Sequence, residues 1–296
     1  MSSTAASIAW ISSDEGGRWG APDALALPAD ARGLLLAEGV FETVLLLKGH
    51  PQLLEAHLQR WQRGAAVLGL APPPAAAHIE PLVQQAIDRS GIDTGALRLN
   101  WCRGSGPRGL APTDPGDSAV LFWLQLSPMA PSFKPQTVII SPSEQRLAAS
   151  LLSQCKSFGY GSALIARRQA SAAQADDALL TSSAGGLCCS TAANLLIQDD
   201  GGWLTPPLSS GCLPGIMRRQ AIARGLAHER VITTADLLAS PGAVLLNSLG
   251  CRPIRADADN ESVSSISGCG TESGPRVGPR ATVSPEQAEL LWRQLL

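Results

Sequence analysis

"CKSFGYGSALIARRQA", residues 155–170, is the stretch on which the reading of this chain turns. Cys155 and Lys156 lead through Ser157, Phe158 and Gly159 to Tyr160, and a small-residue segment nearly free of acidic side chains follows. Among the 23 basic residues, only Lys48, Lys134 and Lys156 are lysines, and Tyr160 is the single tyrosine. Lys48 falls in a Lys-Gly-His-Pro turn and Lys134 in a proline-rich segment. Lys156 has neither setting and no nearby acid, which singles it out as an amine available for chemistry.

The totals narrow the field around it. A chain of 296 residues can bury a large core, as one big domain or two smaller ones. A formal charge of −2 gives no electrostatic reason to expect a nucleic-acid or membrane partner. No apolar run approaches the ~20 residues of a membrane-spanning helix. The N-terminal segment has no basic head and meets Asp14 and Glu15 early, so no secretory signal is expected. The 7 cysteines form no C-x-x-C pair, so neither a metal site nor a disulfide frame is expected, and a cytoplasmic protein with reduced thiols is.

Working outward, Val44–Leu47, a turn at residues 48–51 and the spacing Leu54, Leu58, Trp61, Ala65, Leu68 predict strand, turn, strand and helix. A second helix is predicted near residues 76–90, and two strands at "ALRLNWCR" and "AVLFWLQL". "SPMAPSFKPQ", residues 127–136, is the predicted linker. Beyond it lie a strand at "TVII", a helix near 161–175, several short strands, a helix at "GIMRRQAIARGL" and a strand at "GAVLLN". Residues 255–282 are polar and rich in Ser and Gly, and read as a mobile insertion. Ser284 and Pro285 open a capped final helix. Helices and strands do not alternate strictly, so the expectation is an α+β fold in two domains, 1–126 and 137–296, rather than a doubly wound sheet. Gly104-Ser105-Gly106-Pro107-Arg108-Gly109 matches G-x-G-x-x-G, but Leu-Ala-Pro-Thr-Asp-Pro follows and blocks the helix that a dinucleotide site needs. A shaped loop presenting Arg103 and Arg108 is the better reading.

Five motifs in order then carry a resemblance: "GVFETVLLLKGHPQLLEAHLQRW", "RGSGPRGLAP", "KSFGYGSALIARRQA", "STAANLLIQDDGGWLTPPLSSGCLPGIMRR" and "LLNSLGCRP". Together they resemble the class IV aminotransferase family, the fold-type IV enzymes dependent on pyridoxal 5'-phosphate (PLP). The resemblance implies a small N-terminal α/β sandwich domain, a larger C-terminal domain with a β-barrel-like sheet, and a homodimer. It makes Lys156 the residue that bonds the cofactor aldehyde and moves protons. It makes Arg60 a phosphate ligand, and it makes Ile216 and Met217 phosphate ligands through their backbone N–H groups at a helix start. Met217 departs from a frequent threonine. Asn247 and Ser248 would complete the phosphate cup on a turn one residue shorter than usual, and Asn194 belongs to the cofactor side. Tyr160 is a candidate donor to the cofactor's phenolic oxygen, or else a half-buried helix-face tyrosine. Arg108 matches an arginine that binds a substrate carboxylate, which suits the guanidinium fork. Arg103 is a second candidate, or else a strand-end salt bridge.

One position departs from the pattern. Five residues before Asn194 the family places a glutamate that keeps the cofactor's ring nitrogen protonated, and this chain has Cys189. A neutral thiol cannot supply that charge. Three states stay open: a thiol facing an unprotonated ring, a thiolate paired with a protonated one, or a chain that has lost strong PLP chemistry. Cys188 reads as a small buried residue facing the other way. A weak electron sink disfavours transamination more than β-elimination. The leading expectation is therefore an aminodeoxychorismate-lyase-like enzyme that eliminates pyruvate from 4-amino-4-deoxychorismate to give 4-aminobenzoate for folate synthesis. The alternatives are an aminotransferase for D- or branched-chain amino acids, and a degenerate non-catalytic binder.

Overall fold

The computed structural model describes residues 6–13, 16–111, 119–256 and 274–296. The chain forms two compact units, Met1–Ala130 with Cys155–Gly159, and Pro131–Gln154 with Tyr160–Leu296. The short return of residues 155–159 to the first unit has no counterpart in a simple division of the sequence at a linker.

The first unit comprises β1 (Ile8–Ile11), β2 (Arg18–Gly20), α1 (Arg32–Leu35), β3 (Gly39–Leu47), β4 (His50–Pro51), α2 (Leu54–Val67), α3 (Ala76–Ser90), β5 (Gly95–Arg103) and β6 (Val120–Pro128). Its strands form one antiparallel sheet in the order β2-β1-β6-β5-β3-β4. The β3–β4 turn places Lys48 at φ 51° and Gly49 at φ 78°, the left-handed pair that a tight hairpin requires. Side chains alternate across the strands, so Val40, Val44 and Leu46 share a buried cluster with Leu97, Leu99 and Trp101 of β5. The predicted α2 stripe, Leu54, Leu58, Trp61 and Ala65, completes that cluster together with Ile79, Leu82, Val83 and Ala86 of α3. Trp61 packs edge-on against Trp101 with ring centroids 6.3 Å apart.

The second unit comprises β7 (Val138–Arg146), α4 (Gly161–Ala172), β8 (Asp177–Ser182), β9 (Leu187–Ser190), β10 (Asn194–Asp199), β11 (Gly202–Thr205), α5 (Ile216–Ala223), β12 (Ala227–Glu229), α6 (Thr234–Ala239), β13 (Ala243–Asn247), β14 (Gly250–Pro253), β15 (Arg276–Val277) and α7 (Pro285–Arg293). Its sheet follows β12-β11-β10-β9-β8-β7-β15, with β13 branching from β10 and carrying β14. The barrel-like sheet expected here is instead open and branched among the described residues. The cause lies in β10. Asn194 pairs with Cys189 of β9, and Ile197 to Asp199 pair with β11, while Asn194 to Ile197 also pair with β13 on the opposite edge. A strand that serves three neighbours divides the sheet.

Two further expectations are revised. The linker assigned to residues 127–136 is largely structured: β6 runs to Pro128, and Ser132 and Gln136 bridge to Gly250 and Ile254 in the second unit. Most of the insertion assigned to residues 255–282 lies outside the described residues, but its tail is not loose, because β15 pairs antiparallel with β7. Ser284 caps α7 through a reciprocal capping box with Gln287. No helix among the described residues is long and apolar enough to cross a membrane.

Trp61 is 1% exposed at the centre of the first core. Trp61→Ala is expected to destabilise the protein by about 3–5 kcal/mol, read as a lowered urea midpoint.

Candidate active site

Lys156 is half-buried in the first unit, and β3 fixes it there. The Phe41 N–H donates to the Lys156 carbonyl at 2.9 Å, and the Phe158 N–H donates to the Gly39 carbonyl at 3.0 Å. Gly39 is required at this crossing, since a Cβ there would come within 2.5 Å of both the Phe158 ring and Cys102. The Lys156 Nζ lies 4.4 Å from the centre of the Phe41 ring, and the Arg98 guanidinium lies 3.6 Å from the same ring. Cation–π attraction to the Phe41 ring restrains the amine.

The same strand carries a residue that sequence reasoning passed over. Glu42 occupies a core-facing position between Val40 and Val44, fully buried. Its carboxylate accepts from Arg60 Nε at 2.8 Å and Arg60 Nη2 at 2.6 Å, and lies 2.7 Å from His57 Nδ1. Burial alone would raise this carboxyl, but the Arg60 charge and hydrogen bonds, with those of His57, hold it down to about 2. Burial pushes His57 below the ordinary imidazole range, against the pull of Glu42. The signal was legible: an acid inside an apolar alternation, facing a helix with His and Arg three residues apart. The pairing also redefines Arg60. Its guanidinium is buried in a bidentate ion pair, so its charge is already balanced within the fold.

Arg103 and Arg108 separate sharply. Arg103 is 1% exposed and donates to Glu38 at 2.6 Å and to the Gly69 carbonyl at 2.7 Å. It is the strand-end salt bridge of the two readings, not an arginine presented to a ligand. Arg108 stands in an exposed loop at the end of β5.

In the second unit, Gly215 precedes α5 and offers no side chain, so the first amides of Ile216 and Met217 receive no capping hydrogen bond. Helix geometry leaves those N–H groups without intrahelical acceptors, which makes the helix start suited to an anion. Asn194 shapes the approach: its Nδ2 donates to the Leu213 carbonyl at 3.0 Å, and a Cβ at Gly215 would fall 1.9 Å from its Oδ1. Asn247 donates to the Ala192 carbonyl at 3.3 Å, and its Oδ1 accepts from the Leu249 N–H, so its amide organises the turn that carries Ser248. Tyr160 is half-buried at the cap of α4.

Cys189 is 7% exposed on β9, opposite Asn194 and Leu180. Cys188 does not simply face away. The β8–β9 register slips beside it, so Leu180 pairs with Cys189 but Thr181 pairs with Leu187. Both thiols consequently join one buried cluster with Cys212, and the Cys188 Sγ donates to the Ser210 carbonyl at 3.2 Å. Hydrogen bonding to Cys189 and Cys212, reinforced by burial, pushes the Cys188 thiol up. Among the described residues, no group of three or more His, Cys, Asp or Glu side chains is arranged to hold a metal ion.

In the first unit Lys156 presents an amine beside an aromatic ring, and in the second the start of α5 suits an anion. Residues 39–256 match the family model described as amino-transferase class IV. A Mycobacterium tuberculosis protein named bifunctional aminodeoxychorismate lyase / D-amino acid transaminase is 41% identical over 90 residues, 29% of this chain and 30% of that one. The chain thus aligns with about a third of that relative's length. A Legionella pneumophila structure provisionally named as a 4-amino-4-deoxychorismate lyase is 28% identical, with a TM-score of 0.71, covering 78% of this chain and 86% of that one. A PLP-bound hypothetical aminotransferase from Mycobacterium tuberculosis, 23% identical with a TM-score of 0.72, covers 97% of both chains and shows the same fold.

The Glu42 carboxyl, ordinarily near 4.5, sits lower in the folded protein. Its contribution is therefore complete above the unfolded value and is lost as the pH falls towards 2. The unfolding free energy of the native protein should decline across that window, and Glu42→Gln should flatten this part of the profile.

Proposed function

This chain belongs to the class IV aminotransferase family, and from that membership we propose that it is a lyase that removes pyruvate from 4-amino-4-deoxychorismate and leaves 4-aminobenzoate. The family's cofactor is PLP, whose ring, when bound, withdraws electrons from the carbon that bears the substrate amine. In this reading Lys156 anchors the cofactor aldehyde through Nζ. With the cofactor bound, the same nitrogen would be the group to take the proton from the carbon bearing the substrate amine and to return one to the departing enolpyruvate. The amides of Ile216 and Met217 hold the phosphate, with Asn247 and Ser248 on the flanking turn. Asn194 keeps the helix start in place. Arg60 acts from within its Glu42 pair, Tyr160 serves the phenolic oxygen, and Arg108 takes one substrate carboxylate. The six buried free cysteines among the described residues suit a reducing, cytoplasmic compartment.

The observation that carries this reading is the setting of Cys189. It stands on β9 opposite Asn194 and Leu180, five residues before Asn194, where the family pattern has a glutamate. Asp177, the buried acid on neighbouring β8, is committed to Arg167 at 3.0 Å and Thr191 at 2.6 Å. A site without a carboxylate there favours a reaction that sheds charge into a leaving group, and formation of an aromatic product adds driving force. A second reading, D-amino-acid transamination, is favoured by the bifunctional Mycobacterium tuberculosis relative.

Self-association is part of the proposal. In the first unit Leu34, Leu35 and Leu110 are 62%, 64% and 86% exposed, and in the second Leu147, Leu151 and Leu164 are 60%, 69% and 61% exposed. Such apolar exposure suits contact with a second copy of this chain. Light scattering after gel filtration should give twice the chain mass.

Purified holoprotein given aminodeoxychorismate should release pyruvate. Lys156→Ala should lower the rate by at least ~10³-fold, and borohydride should fix the cofactor to the peptide that bears residue 156. With D-alanine alone the cofactor should stay in its aldehyde form; conversion to the pyridoxamine form would favour the transaminase. Cys189→Glu should raise that conversion.

A further inference from the structure

The loop that presents Arg108 is held by a residue to which no role has been given. Arg32 is 6% exposed and opens α1. Its Nη1 donates to the Pro107 carbonyl and to the Gly109 carbonyl, each at 2.8 Å. One nitrogen thus grips the two peptide carbonyls on either side of Arg108. The Arg32 Nε donates at 2.6 Å to Glu38, whose other oxygen accepts from Arg103. The backbone adds to the grip: the Arg32 N–H donates to the Gly104 carbonyl, and Ala31 bridges to Ser105. Gly106 gives the arginine stem room to pass, since a Cβ there would lie 3.0 Å from the Arg32 Cδ. Gly109 turns the chain back at φ 86°.

We propose that Arg32 is the positioning residue for Arg108, with Glu38 as its anchor, so that a loop otherwise open to solvent offers its guanidinium to a substrate carboxylate in one preset geometry. The inference rests on the carboxylate role of Arg108 proposed above. Residues 105–111 are exposed throughout, and among the described residues the side chain that reaches the carbonyls at 107 and 109 is Arg32. An unpinned loop with glycines at 104, 106 and 109 would have to be ordered on each binding event, which weakens affinity. The charge balance supports the arrangement. Two arginines share one carboxylate, and Arg103 keeps a buried Nη1 with no hydrogen-bond partner. Both Glu38 oxygens are thus engaged within the fold.

The test uses holoprotein and chorismate, which carries both carboxylates of the proposed substrate but a hydroxyl in place of its amine, and so binds without bonding to the cofactor. Arg32→Met should raise the chorismate Kd by ~10-fold in calorimetry and speed amide exchange at residues 104–111, while the absorbance of bound PLP stays unchanged. Arg108→Ala should raise the same Kd without altering exchange, and the double variant should be no worse than Arg108→Ala alone. Arg32→Lys, which keeps the charge and the Glu38 pair but cannot also span two carbonyls, should give a smaller change in the same direction and serves if the methionine variant does not fold. Native exchange and native Kd in both Arg32 variants, with Arg108→Ala impaired, would overturn the inference and leave the role of Arg108 intact. An Arg108→Ala variant that binds chorismate normally would overturn the carboxylate reading and this role of Arg32 with it.

Discussion

Two backbone hydrogen bonds between β3 and residues 156–158 fix where Lys156 lies in the first unit. At its start β3 is paired with β5 on one edge only, so its N–H and C=O groups on the other edge need partners. Phe41 N–H and Gly39 C=O find them in Lys156 and Phe158. The chain has by then entered the second unit at Pro131, and it returns to the first for five residues only. Anything larger than glycine at position 39 would meet the Phe158 ring. The placement of the lysine is thus a matter of strand-edge satisfaction and close approach, which side-chain chemistry then exploits through the Phe41 ring.

Buried charge follows one pattern throughout. Each deeply placed carboxylate answers arginine: Glu42 answers Arg60, Glu38 answers Arg32 and Arg103, and Asp177 answers Arg167. Breaking such a pair from one side strands the other charge in a poor solvent, at a cost of about 3–5 kcal/mol. These pairs contribute orientation more than net stability. Arg60 is held by its bidentate pair, and Arg32 is tied both to Glu38 and to the loop carbonyls at 107 and 109.

The thiols at β9 give the second unit a different character. A register slip gathers Cys188 beside Cys189, and Cys212 closes the group. The thiols sit among alanines and aliphatic side chains, with the Arg218 charge close enough to act on Cys212. Where the family pattern has a glutamate, this strand presents a small, weakly polar surface, and the chemistry proposed for the chain is the kind that asks least of that position.

Much of this was legible in residue order. The 3.6-residue stripe of α2 and the alternation along β3 and β5 each express a local rule, and the structure follows them at Leu54, Trp61, Val44 and Leu97. Ser284 caps its helix because the cap needs only residues three apart. Lys156 stood out by scarcity and by its neighbours. What sequence could not reach were pairings set by distant segments. These include the three-way use of β10 that leaves the sheet open, the β15 pairing that orders the end of an apparent insertion, and the burial of Arg103 against Glu38. The division has a physical cause. Helical and strand periodicities, turns and caps are fixed by neighbours a few residues away, so sequence alone determines them. Whether a charge is solvated, paired or presented depends on which remote backbone or side chain arrives beside it, and only the tertiary structure decides that.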